Sequence, residues 1–169
     1  MNRIYRVIWS KASGRQIVVG ENAHVQIVER HQSLNDNVVL TNSVTEIFAN
    51  KRAIVDYYKI QNDKKTASLI DNTYVKQGQQ SVASVNTFSF GGNLTRNNLE
   101  FYQEGEHITS NLNGITIVED KQLVDNHTLV NHKFPNCESH ELYKGIYFDT
   151  STGVFNGKVI VEKEAQKTN

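Results

Sequence analysis

A chain of 169 residues with 18 basic and 18 acidic side chains is long enough to bury one sizeable core and carries no net charge. That balance excludes the electrostatic footprint of a nucleic-acid surface and of a polybasic membrane patch, and no run reaches the roughly 20 apolar residues of a membrane-spanning helix. A single cysteine, Cys137, excludes an internal disulfide and fits a reducing compartment.

The opening stretch, MNRIYRVIWSKASG, is similar to the extended leader that precedes the signal peptides of large bacterial autotransporters. Export needs an apolar core of roughly 7–15 residues after the basic start. Here IVVG runs at once into Glu21, Asn22 and His24. Residues 1–16 therefore read as a lead-in of separate origin, and residues 17–169 as the folded unit.

From there the chain alternates apolar and polar side chains in short runs. HVQIV (24–28), VTEIF (44–48), NLEFY (98–102), ITIV (115–118), LYKGIYF (142–148) and KVIV (158–161) all have the period of two that marks strands. Asparagine and glycine clusters separate them, and with Pro135 the one proline in the chain the strands have almost no ladder-breaking residue. A weak repeat underlies the runs. GENAHVQIVE from Gly20 matches NKRAIVDYYK from Asn50 position by position: a turn-prone residue, a small residue three places on (Ala23, Ala53), then alternating apolar side chains. The opening recurs at Gly78, Gly105 and Asn136, at intervals of 30, 28, 27 and 31 residues. One such unit cannot bury its apolar face alone and must stack on its neighbours. The reading is an all-β parallel solenoid of five to six coils at ~4.8 Å each, about 25–30 Å long. An antiparallel sandwich or jelly roll is the alternative that the strand spacing also permits.

The densest chemistry lies in VNHKFPNCESHELYKG (130–145). His127, His132, Cys137 and His140 are ligand types suited to zinc or iron. Their spacing is a lone C-x2-H rather than paired motifs, so the segment reads as a coil corner, with Asn136 and Cys137 at the turn and the histidines in solvent or at an edge. Gly91 and Gly92 in FSFGGNLTR lack the lysine of a phosphate loop and read as a turn. Glu104 and Glu106 flank Gly105 as a solvated corner. Of Tyr57 and Tyr58 one faces the core and one the outside. Lys51, Arg52 and Lys59 are the basic companions available to a stacking surface. No clustered carboxylates of a sugar-cleaving β-helix enzyme are visible.

Four longer stretches, IVVGENAHVQIVERH, FANKRAIVDYYKIQND, VNHKFPNCESHELYKGIYFD and GVFNGKVIVEKEAQKTN, resemble the SufB/SufD family of the SUF iron–sulfur cluster assembly system, in wording closer to its SufD branch. The resemblance implies a right-handed parallel β-helix. It also implies a non-enzymatic, cytoplasmic scaffold that joins SufB and the ATPase SufC in a SufBCD complex and supports iron acquisition and assembly of a nascent cluster. Family members carry their cluster-related cysteine and histidine, their SufB contact and their SufC-binding helices beyond the stretch matching Asn169. No catalytic, cofactor-binding or metal-binding residue is therefore carried over, and the core is expected to be incomplete at its C-terminal side. The unpaired strand around KVIVEK is expected to favour self-association through the open end. The competing class, an exported β-solenoid passenger or adhesin, rests on the leader-like opening alone.

Overall fold

Alternation of inward and outward side chains yields strands throughout the computed structural model, which describes residues 14–169 and holds no helix among them. Six strands form one sheet: β1 (Arg15–Val19), β3 (Val39–Ala49), β5 (Ala67–Gln77), β7 (Leu94–Gln103), β9 (Leu123–His132) and β11 (Thr152–Val161). Five form the other: β2 (His24–His31), β4 (Ile54–Gln61), β6 (Val82–Ser89), β8 (Thr109–Val118) and β10 (Glu138–Tyr147). Every neighbouring pair is parallel. The chain alternates between the sheets, so one strand from each makes a coil. The result is a β-solenoid of five two-strand coils, with β11 beginning a sixth. A sandwich is excluded, because its sheets would be antiparallel. The leader-like segment falls largely on residues 1–13, outside the described residues; Arg15 and Gln16 already pair with Thr45 and Glu46 of β3.

His24 lies beside Ile54, Ile54 beside Val82, Val82 beside Thr109 and Thr109 beside Glu138, so successive coils are offset by 30, 28, 27 and 29 residues. The first three equal the intervals read from the sequence. The fourth differs by two, and the reason lies in the corners. Each odd-to-even corner holds one residue in the left-handed region: Asn22 (φ 58°), Arg52 (55°), Gln80 (59°), His107 (57°) and Asn136 (60°). Asn136 thus matches His107, the third corner position, and the fifth unit opens at Phe134. Asparagine suits both the opening and the left-handed position, which misplaced it. At this position the backbone N–H of Asn22, Arg52 and Gln80 donates to a carbonyl in the next coil, at 3.1, 2.9 and 2.9 Å.

Two kinds of column line the interior. Ile47, Val75, Phe101 and Val130 stack in one sheet, and Tyr57, Val85 and Leu112 in the other, all at most 3% exposed. Each such side chain contributes roughly 1.5–3 kcal/mol by leaving water. The column Glu29, Lys59, Thr87, Gly114, Tyr143 runs beside them. Its glycine is set by contact: a Cβ on Gly114 would strike the Tyr143 ring.

Two stability measurements follow from this geometry. Gln80 is exposed and pays for a left-handed backbone, so Gln80→Gly raises the urea midpoint, worth about 0.5–1 kcal/mol. Gly114→Ala costs about 1–3 kcal/mol through overpacking, and the cost shrinks when it is made together with Tyr143→Ala.

Candidate functional site

The inward phase of the strands carries charge as well as hydrocarbon. Counting by twos from Val25 and Ile27 leads to Glu29 and His31; from Val55 and Tyr57 it leads to Lys59 and Gln61. Glu29, Lys59 and Asp71 are 5%, 3% and 0% exposed, a depth at which a charge survives only when paired. Each is paired. Glu29 receives Arg15 Nη1 at 3.1 Å and His31 Nε2 at 3.2 Å, and accepts the Tyr57 hydroxyl from the next coil. Lys59 bonds Asp71, one coil further on, and lies 3.1 Å from Thr73 Oγ1, which itself donates to Asp71 Oδ2 at 3.2 Å. The network therefore crosses three coils and both sheets.

Its electrostatics fix its chemistry. Burial works against the Glu29 charge, but the hydrogen bonds from His31 and Tyr57 and the positive charges of His31 and Arg15 outweigh it and hold the carboxyl at about 2. Burial first, then the Glu29 and Asp71 charges, push the Tyr57 phenol well up. Across the neutral range Glu29 stays ionised and Tyr57 stays protonated, so neither exchanges a proton as a general acid or base would. The cluster is a fixed charge lattice that ties coils together.

The four ligand-type residues of the 127–140 region are not brought to one point. His127 is on the outer face of β9, its Nε2 2.8 Å from Asp125 Oδ1. His140 is on the outer face of the other sheet, 3.5 Å from Glu138. His132 is buried, its ring nitrogens 3.1 Å from Ser139 Oγ and 2.7 Å from Thr168 Oγ1. Cys137 is buried at the corner, its thiol donating to the Gly105 carbonyl at 3.2 Å. Burial lowers the His132 pKa and raises that of Cys137, which keeps the imidazole neutral and the thiol protonated. Among the described residues no three His, Cys, Asp or Glu side chains are placed to hold a metal ion.

The remaining candidates are corners and faces. Gly91 and Gly92 make the β6–β7 turn; Gly92 has φ +80°, and a Cβ on Gly91 would strike the Asp63 backbone. Glu104 pairs with Lys133 at 2.8 Å, while Glu106 faces His107 at 3.9 Å, so the two carboxylates have different partners. Tyr57 is buried and Tyr58 half-buried on the outer face. Arg52 Nε donates to Asn22 Oδ1 at 2.6 Å, beside Lys51 at the same corner. Lys59, counted above among basic residues available to a stacking surface, is inside the coil and serves none.

Two parallel sheets wound into one stack, with the interior charges neutralising one another, define a structural core of stacked coils. A family model described as SUF system FeS cluster assembly, SufBD core domain, matches residues 11–169, and the chain belongs to that family. It is 30% identical over 161 residues to an iron–sulfur cluster assembly SufBD family protein of Synechocystis sp., covering 90% of this chain and 36% of the relative. It is 25% identical to the iron–sulfur cluster assembly protein SufD of Escherichia coli (89% and 36% covered) and 28% identical to a chloroplastic protein of Arabidopsis thaliana, ABCI7 (90% and 33%). The chain thus spans about a third of the length of the curated relatives it matches.

Because the folded carboxyl of Glu29 titrates near 2 against an ordinary value of 4.5, its contribution is complete above about pH 4.5 and is lost as pH falls through 2. Urea midpoints measured across that window should fall steeply for the native chain and only shallowly for Glu29→Gln, with on the order of 3 kcal/mol at stake. In the native state Cys137 should resist a maleimide that labels it readily in urea.

Proposed function

We propose that this chain is a SufD-type, non-enzymatic scaffold core that acts in the cytoplasm within an assembly containing SufB-like and SufC-like subunits. The observation that carries the reading is a SufBD core match running from residue 11 to residue 169, over the whole described solenoid. Support also comes from the similarity to the SufD protein of Escherichia coli. On this reading the iron–sulfur cluster is cargo of the full assembly, ATP belongs to the SufC-like subunit, and the solenoid supplies a rigid body against which partners are held. The charge lattice suits that task, since it stiffens the first three coils without offering an exchangeable proton.

On this reading the principal SufB-like and SufC-like contacts belong to parts of the full-length protein outside the segment matched by this chain. A side-by-side pull-down with purified SufB and SufC of Escherichia coli should therefore retain less of this chain than of full-length SufD, and the chain alone should hydrolyse no ATP. Retention equal to full-length SufD would refute the core-only role. Intrinsic ATP hydrolysis would refute the scaffold reading.

A further inference from the structure

A depression of about 720 Å³ lies beside the corners that lead from the even-numbered sheet to the odd-numbered one. Its floor is apolar: Phe90, Ile117 and Phe148 line it and are 37%, 39% and 54% exposed. Phe90 and Ile117 follow Ser89 and Thr116, which lie side by side, and the Phe148 N–H donates to the Val118 carbonyl at 3.0 Å. Three successive levels therefore build the floor, and the ladder holds it in place. Hydrocarbon gathered and left open in this way marks a contact surface.

The wall carries charge that is only partly answered. Asp36, Asp63 and Glu119 line it together with Lys64 and Lys65. Both lysines are engaged: Lys64 reaches Asp36 at 3.4 Å, and Lys65 reaches Glu119 at 2.6 Å and Asp120 at 2.5 Å. Asp63 differs. It is half-buried and pairs with no cation among the described residues. Its Oδ1 accepts the Ser33 hydroxyl at 2.8 Å and its Oδ2 accepts Gln61 Nε2 at 3.2 Å. Gln61 is 4% exposed and takes the Gly91 N–H on its own oxygen at 3.2 Å, so it steadies the carboxylate from below. One acceptor position stays open on each Asp63 oxygen. A purely apolar occupant would strip water from this charge without replacing it, and an anionic one would meet three carboxylates. A cation on a hydrocarbon stem satisfies floor and wall at once. Arginine does so best, because its weakly hydrated guanidinium stacks on aromatic rings and donates two parallel bonds to a carboxylate.

We propose that this depression is a docking site for a segment of a partner protein that lays an arginine on the floor of Phe90, Ile117 and Phe148 and sets its guanidinium against Asp63. The probes are three labelled synthetic peptides, identical except at one central position flanked by leucines, which holds arginine, its neutral isostere citrulline, or glutamate. Fluorescence anisotropy on the full chain should show saturable binding of the arginine peptide, about tenfold weaker binding of the citrulline peptide and none of the glutamate peptide. Asp63→Asn, which keeps an acceptor for Ser33, should bring the arginine and citrulline peptides to equal affinity. Phe148→Ala, at an exposed position that leaves the circular dichroism spectrum unchanged, should weaken both peptides alike. Equal affinity of the two peptides for the native chain, a preference for arginine that survives Asp63→Asn, indifference to Phe148→Ala, or no binding of the arginine peptide at about 1 mM would overturn the proposal. So would a concentration-dependent dimer in sedimentation that Phe148→Ala dissolves, which would assign the floor to a second copy.

Discussion

The hydrogen-bonded ladder between successive coils is the constraint from which the rest of the molecule follows. Parallel pairing places each residue beside the one 26 to 30 positions later, and the pleat sends every second side chain inward. A coil therefore has no core of its own: Val75 is buried only because Ile47 and Phe101 lie on either side of it. Stability is shared between neighbours, and a change at one level is felt chiefly by the levels that touch it.

The same geometry makes a half-polar interior workable. An isolated buried carboxylate or ammonium would carry a desolvation cost of several kcal/mol. Stacking supplies partners at fixed heights, Tyr57 and Arg15 for Glu29, Asp71 and Thr73 for Lys59. Well-packed hydrocarbon could stabilise such a space as well. What the charges add is discrimination: if a coil slipped by two residues along its neighbour, Lys59 would lose its bond to Asp71, whereas a purely aliphatic column would tolerate the slip. At the opposite corner the polar stack Gln77, Ser110, Gln103 does similar work, with Ser110 Oγ donating to Gln77 Oε1 at 2.6 Å and Gln103 Nε2 donating to Ser110 Oγ at 2.8 Å.

Much of this is legible in the sequence, for physical reasons that differ from element to element. A period of two survives every substitution that preserves the pleat, so strands such as VTEIF and NLEFY announce themselves. The 30, 28 and 27-residue spacing shows because small or turn-forming residues recur where the corners need them. The slip at Asn136 arose because asparagine serves two corner positions equally well. The charge lattice is hidden from a hydrophobic pattern, which treats Glu29 and Lys59 as interruptions, although their phase with Ile27 and Tyr57 already directs them inward. The separation of His127 from His140 could not be read from a spacing of thirteen residues, since the chain passes through a corner between them and changes sheet.

The coils differ in length, yet their strands stay in register, because the corner between β2 and β3 runs over residues 32–38 while the one between β6 and β7 needs only residues 90–93. Most of the slack is taken up on one side of the stack. Duplication or excision of a whole level would thus leave the adjoining levels facing familiar surfaces, and the body would grow or shorten in steps of about 4.8 Å. A lineage built on this plan can alter the length of the body by gene-segment copying, without redesigning the levels at either end.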